Sequence, residues 1–142
     1  MTRIDFHSNV PNKMAYACRL VRKARAAQFR IVLLTRDRSE MAALDQALWT
    51  FSEQDFVPHV NAGSPLAEQT PVLLTSAEDD AIPALPHHQI LINLSGSTPE
   101  HFARFERMFE IISADDSDKA AGRDRYRFYK ERGYPLSHFV AE

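Results

Sequence analysis

The sequence predicts a single α/β domain with an open, largely parallel sheet and helices on both faces. The first reason is that short apolar runs typical of buried parallel strands alternate with longer segments of helical periodicity. The second is that no repeat, linker or low-complexity tract divides residues 1–142, a natural length for one domain. The predicted order β-α-β-α-β-β-α-β-α is Rossmann-like in its general pattern. The strand order stays open.

The first half of the chain supplies two predicted strands and two predicted helices. Residues 2–7 alternate polar and apolar groups, as a strand does, and residues 30–35, RIVLLT, form an almost continuous apolar run. The segment 12–28 has apolar residues at helical spacing. In the segment 37–49, Asp37 and Glu40 fit a capping box that opens a second helix.

The second half continues the alternation. Residues 71–76, PVLLTS, and 89–94, QILINL, are predicted as buried strands. Residues 97–100 carry hydroxyls and a proline that suit a helix start, from which Phe102, Phe105 and Met108 would face inward. Residues 109–112 are the predicted last strand. A last helix over 115–132 is stopped by a glycine and a proline.

The composition of the chain indicates which kinds of molecule the protein is expected to bind and which it is not. With 44% apolar and 25% charged residues the chain matches an ordinary soluble globular protein. No apolar run approaches the roughly 20 residues that span a bilayer, so we expect no membrane contact and a cytoplasmic location. The formal net charge of -2 argues against direct nucleic-acid binding. Cys18, the single cysteine, lies in an apolar helical pattern and is expected to be a packed, inert thiol.

The loop from Ser95 to Thr98 is the first place to look for a phosphate site, because strand-to-helix turns of open sheets hold phosphates. It contains one glycine and neither the dinucleotide fingerprint nor a phosphate-loop lysine. A degenerate nucleotide- or phosphate-binding α/β protein that uses this loop is the alternative function.

Other chemistry-bearing residues have simpler explanations. Asp115, Asp116 and Asp118 would suit a cation site or paired catalytic carboxylates, but at a helix start they cap free amides. The adjacent residues His87 and His88 would point apart on a strand, and no cluster at ligand spacing surrounds them. We therefore expect no catalytic residue, no metal and no cofactor.

The predicted last helix carries a basic stripe. Cations and a tyrosine recur at spacings of three or four residues: Lys119, Arg123, Tyr126, Arg127 and Lys130. Such a stripe suits an acidic peptide with an apolar end, because guanidinium groups hold carboxylates and the ring supplies a dry wall. A solvated helix face is the commoner explanation of such a stripe taken alone, and nucleic acid that stacks on tyrosine is a third interpretation.

The segment after the second helix concentrates large aromatic residues. Trp49, Phe51 and Phe56 lie where a helix runs into a loop, with few neighbours to cover three rings. They are either core residues that fold over the sheet edge or an exposed patch for a protein partner.

Two motifs in this region, LDQALW at 44–49 and FVPH at 56–59, resemble the chi subunit of bacterial DNA polymerase III. The terminal run RDRYRFY at 123–129 and the order of the predicted strands are similar to the same family, so the resemblance spans nearly the whole chain.

The resemblance implies a noncatalytic accessory subunit of the polymerase's clamp loader. In that family one surface binds the psi subunit, and another holds the acidic carboxyl-terminal tail of single-stranded DNA-binding protein. Carried over by position, Trp49 and Phe56 would belong to the psi-facing surface. The tail pocket would have an apolar wall at Ile112 and be formed otherwise by Lys119, Arg123, Tyr126 and Arg127.

Overall fold

A computed structural model describes residues 1–50, 57–79 and 81–141 of the chain. Within these residues seven strands and three α-helices are present. The strands are β1 Arg3–Val10, β2 Ile31–Thr35, β3 His59–Asn61, β4 Val72–Ser76, β5 Ile90–Asn93, β6 Arg107–Ser113 and β7 Leu136–Val140. The helices are α1 Lys13–Ala26, α2 Arg38–Thr50 and α3 Asp116–Glu131.

The strands form one sheet in the order β3-β4-β2-β5-β6-β1-β7, and every pair of neighbours is parallel. The predicted α/β class with a largely parallel open sheet is thereby confirmed. β3 and β7 lie at opposite edges. The central strands β2, β4 and β5 are the apolar runs of the sequence, and all of their residues are buried.

Side-chain alternation divides the core between the two faces of the sheet. In β2, Ile31 and Leu33 point into a cluster that includes the buried residues of α1 and α2. Val32 and Leu34 point into a second cluster, which includes Tyr129 of α3. Helices therefore cover both faces, as predicted: α1 and α2 lie on one face and α3 lies on the other.

The prediction of a helix that begins at residues 97–100 is wrong. A single 3-10 turn at Phe102–Arg104 occupies this segment, and β6 begins at Arg107, so Met108 is a strand residue. His101 takes a left-handed conformation, with φ 63°, which interrupts helical geometry. The carbonyl of Phe105 accepts a hydrogen bond of 2.6 Å from the Thr2 hydroxyl. Phe102 and Phe105 are buried as expected. They belong to the 3-10 turn and to the residue that follows it, however, and not to an α-helix.

Two edge strands escaped prediction. β3 has three residues, below the usual strand length, and it lies in a stretch with strong turn signals. β7 follows the glycine and proline that end α3, and it pairs with β1 from Ile4↔Leu136 to Ser8↔Val140. Its outer residues Phe139 and Val140 are 49% and 62% exposed. β7 forms the sheet edge beside α3.

A buried polar network fixes α3 against the sheet. Glu110 in β6 is completely buried, and Arg125 Nε lies 3.2 Å from both of its carboxylate oxygens. The hydroxyl of Tyr129 and the amide of Asn93 donate to the same carboxylate at 2.6 and 2.9 Å. Burial raises the pKa of Glu110, and Arg125 and these hydrogen bonds oppose the shift. Arg125 also donates to the carbonyl of Gly96.

We expect Arg125→Ala to lower the free energy of unfolding by about 3–5 kcal/mol, because the buried Glu110 carboxylate would lose its cation. Urea denaturation measures the change. Arg127, two residues further along α3, is the matched control, because its side chain is 70% exposed. Arg127→Ala should cost less than about 0.5 kcal/mol. Equal losses for the two variants would contradict a structural role specific to Arg125.

Candidate functional site

A cavity of about 590 Å³ lies between α3 and the edge of the sheet formed by β1 and β7. Its lining comes from β1, β6, α3 and β7 and from Asn9 at the irregular end of β1. The lining residues are Phe6, Ser8, Asn9, Ile112, Lys119, Gly122, Arg123, Tyr126, Arg127 and His138. Every residue expected from the family resemblance to form the tail pocket therefore lies at this one cavity.

The floor of the cavity is apolar. Phe6 and Tyr126 meet edge to face with ring centroids 5.1 Å apart, and Ile112 lies beside them as a buried β6 residue. Gly122 allows α3 to approach this floor closely. A Cβ at Gly122 would stand 3.0 Å from Cγ1 of Ile112 and still closer to its Cδ1. The glycine therefore sets the distance between α3 and the cavity floor.

The rim of the cavity is cationic. Lys119, Arg123 and Arg127 line it, and none of the described acidic residues does. Arg127 contacts Asp124 at 3.0 Å, but both side chains are largely exposed, so this pair contributes little. Neither Lys119 nor Arg123 forms an ion pair with another residue in the described ranges. The rim therefore offers positive charge above an apolar floor.

Sequence reasoning missed the half of the cavity that the sheet supplies. Ser8 and His138 come from the neighbouring strands β1 and β7, and the Ser8 hydroxyl lies 2.7 Å from Nε2 of His138. The alternation in β1 did indicate that Phe6 faces one side of the sheet. Nothing in the sequence placed α3 on that side, and β7 itself was not predicted.

The second expected surface centres on Trp49, at the end of α2. Its side chain is 47% exposed, and its ring lies 4.5 Å from that of His59 in β3. Nδ1 of His59 lies 2.6 Å from the carbonyl of Val57, and Nε2 lies 3.2 Å from Asp45 of α2. The contact of Nδ1 with the Val57 carbonyl positions the His59 ring, which packs against the tryptophan near Asp45. Phe56 lies outside the described residues.

The alternative phosphate loop does not lead into a helix. Ser95 is buried and bonds to the Asn93 side chain, which also donates to the carbonyl of Ser97. Because the 3-10 turn follows instead of an α-helix, the loop lacks the helix amino terminus that favours a phosphate.

The carboxylates at the start of α3 and the thiol of Cys18 have structural roles. Asp115 caps α3 by accepting from the amide of Asp118, as predicted, and Asp118 accepts from the amide of Ser113. Within the described parts of the chain, no group of three His, Cys, Asp or Glu side chains could hold a metal ion. Cys18 is buried, and burial raises the pKa of its thiol.

Comparison with known proteins agrees with the two motifs. A family model described as "DNA polymerase III chi subunit, HolC" matches residues 1–137. The DNA polymerase III subunit chi of Pseudomonas aeruginosa is 34% identical over an alignment of 143 positions, gaps included. This alignment covers 96% of this chain and 94% of that protein. The chain belongs to the DNA polymerase III chi subunit family. The subunit chi of Escherichia coli is 28% identical, and the alignment covers 76% of this chain and 71% of that protein. The subunit chi of Haemophilus influenzae is 24% identical, and the alignment covers 85% of this chain and 82% of that protein.

The resemblance to the chi family is thereby confirmed, and the chain is an accessory subunit of a replicative polymerase. The structure also explains why the two motifs occur together. Asp45 and Trp49, from the first motif, both contact His59, the last residue of the second. No described helix of this chi family member combines the length and apolar character that crossing a bilayer demands.

We expect Gly122→Ala to cost about 1–3 kcal/mol in packing, because the new methyl group overpacks the contact with Ile112. The gain of about 1 kcal/mol that alanine brings to a helix offsets part of this cost, so the net loss of stability should be at most about 2 kcal/mol. Thermal or urea unfolding measures the net change. In an Ile112→Val background, which lacks the clashing Cδ1, Gly122→Ala should cost less. An equal cost in both backgrounds would show that this contact does not set the helix position.

Proposed function

We propose that this chi subunit is a noncatalytic bridge in the clamp loader. One site binds the psi subunit at Trp49, and the other holds the acidic carboxyl-terminal tail of single-stranded DNA-binding protein at the α3 cavity. The observation that carries the proposal is the cavity itself, where three cations surround an apolar floor. An acidic peptide with an apolar end matches both parts.

The chemistry of the cavity favours a peptide end over a solvated helix face. A guanidinium such as that of Arg123 can hold a terminal or side-chain carboxylate by two parallel hydrogen bonds. Phe6, Ile112 and Tyr126 supply a concave apolar surface, which a helix that is merely solvated would not need. The charges would therefore align the peptide, and the floor would bury its apolar end.

The two proposed sites lie far apart on the sheet. The tail cavity borders β7 at one edge, and Trp49 contacts β3 at the other. Six strand spacings separate these edges, a distance of about 29 Å. The cavity also lies on the α3 face, whereas Trp49 ends a helix of the opposite face. Both partners could thus bind at once, as a bridge requires.

Trp49 has the features of an interface anchor. A tryptophan with nearly half of its side chain exposed leaves a large apolar surface in water, and its support by His59 keeps the ring in place. Preordering of this kind lowers the entropy lost on binding. Phe56, which the resemblance also assigns to psi binding, is proposed to take part in the same contact.

The tail site can be tested by titrating a labelled peptide with the acidic carboxyl-terminal sequence of single-stranded DNA-binding protein. We expect micromolar affinity, about -8 kcal/mol, which weakens as salt is added. Arg123→Ala should weaken binding at least tenfold. Lys130→Ala removes an exposed cation of the same helix that does not line the cavity, so it should leave affinity within about twofold. Indistinguishable affinities for Arg123→Ala and wild type would reject the site.

The psi-facing site can be tested with Trp49→Ala. We expect a loss of stability below about 2 kcal/mol, since the ring is half exposed, and loss of copurification with the psi subunit. Leu48→Ala is the matched control, because Leu48 is buried next to it in α2. That change should cost about 2–5 kcal/mol. Retention of psi by a Trp49→Ala protein would remove the basis for this surface.

A further inference from the structure

The most one-sided charge in the molecule lies on α1, which neither proposed site uses. This helix carries five cations and no acidic residue: Lys13, Arg19, Arg22, Lys23 and Arg25. The basic helix of the tail site, α3, has five cations but also four acidic residues. Since the whole chain has a charge of -2 and α1 alone has +5, the rest of the chain carries -7. The net charge therefore conceals a basic helix, although one of its cations, Lys13, is paired with Asp118 at 3.4 Å.

Arg19 and Lys23 stand at the centre of the outer face of α1. They are one helical turn apart and both exposed, and the buried residues Ala17, Cys18 and Val21 occupy the opposite side of the helix. Neither cation forms an ion pair with a residue in the described ranges. Two adjacent positive charges are thus available to an anion in solution.

A row of aromatic rings connects α1 to the edge of the sheet, with the buried ring of His7 between Tyr16 and the exposed ring of Phe139. The guanidinium of Arg19 lies 5.5 Å from the ring centroid of Tyr16. The Tyr16 ring meets His7 at 5.4 Å, and His7 meets Phe139 at 5.2 Å. Burial lowers the pKa of His7 below its ordinary value. Phe139 is half exposed at the outer edge of β7.

The acidic group beneath this surface is already neutralised. Asp5 is fully buried in β1, and Arg107 Nε donates to its carboxylate at 2.8 Å. Arg3 lies 3.6 Å from the same carboxylate. The guanidinium of Arg107 also lies 4.8 Å from the ring centroid of Phe109. Asp5 therefore does not cancel the charge that Arg19 and Lys23 present.

We propose that the outer face of α1, together with the exposed ring of Phe139, binds single-stranded nucleic acid. Arg19 and Lys23 would contact phosphates, and an unstacked base would lie on Phe139. The ring of Phe139 is half exposed and does not line the cavity proposed for the peptide tail, so it favours a flat unpaired base over an apolar peptide end, which the cavity suits better. Duplex DNA is disfavoured because its bases are covered. The sequence alone predicted no direct nucleic-acid contact because its net charge averages over both faces of the sheet.

The position of this surface suits a strand held by another protein. α1 covers one face of the sheet, and the tail cavity lies on the other, so neither ligand would block the other. The inference does not require the tail site, since its residues are different. The two sites can therefore fail independently.

Fluorescence anisotropy with a labelled oligothymidylate at rising salt tests the proposal. We expect wild-type protein to bind with a dissociation constant of about 10⁻⁴ to 10⁻⁶ M. The double variant R19A/K23A should bind at least tenfold more weakly at low salt. Its slope of log affinity against log salt should be smaller by about 1.4, the value for two lost phosphate contacts on a single strand. Phe139→Ala should weaken binding at least fivefold without changing the slope.

The double variant K119A/R123A is the matched control, because it also removes two cations but only from the tail cavity. It should bind the oligonucleotide as wild type does. Equal weakening by the two double variants would overturn the proposal in favour of a general charge effect, and absence of salt-dependent binding by wild type would overturn it outright. Loss of tail-peptide binding in R19A/K23A with the oligonucleotide still bound would assign α1 to an acidic protein. If R19A/K23A unfolds in circular dichroism, R19Q/K23Q serves the same test.

Discussion

The contact between Glu110 and Arg125 determines which way α3 faces, and the tail cavity depends on it. The buried carboxylate of Glu110 needs a cation, so Arg125 must point towards the sheet. Tyr129, one helical turn later, points the same way and donates a hydrogen bond to the same carboxylate. With these two residues inward, the helix has no rotational freedom left. Arg123 and Arg127 then point outward, while Tyr126 lies between the two sides and closes the cavity. Replacement of such a pair by apolar residues can be neutral for stability, so its value here lies in orientation.

The topology of the sheet then separates the surfaces that this orientation creates. An all-parallel sheet is covered on both faces, and its edges remain the places where neighbouring elements leave gaps. At one edge, β7 is a late strand that pairs with β1 and leaves a cavity between itself and α3. At the other edge, β3 is so short that His59 can reach the end of α2. An accessory subunit gains from this arrangement, because distant edges can hold different partners.

Prediction from sequence succeeded where a single element determines the answer. The apolar runs of β2, β4 and β5 need only burial on both faces, and helical spacing alone aligned Lys119 with Arg123 on one side of α3. Prediction from sequence failed where contacts between residues far apart in the sequence determine the local structure. The segment 97–108 has good helix-start signals, but the hydroxyl of Thr2 binds its carbonyl groups and the strand β6 begins early. Likewise His138 reaches the cavity through the pairing of β7 with β1, which no local pattern reveals.

The distribution of charge matters more than its sum in this molecule. At physiological ionic strength, charges more than about 8 Å apart are largely screened, so a ligand experiences only the nearest cluster. Asp124 pairs with Arg127 and Asp118 pairs with Lys13, but Lys119, Arg123, Arg19 and Lys23 form no ion pair with a residue in the described ranges. Within α3 itself, the acidic residues Asp116 and Asp118 lie in the first turn, where they stabilise the helix dipole, and Lys119 and Arg123 follow them towards the cavity. A mildly acidic protein can therefore present two separate receptors for anions.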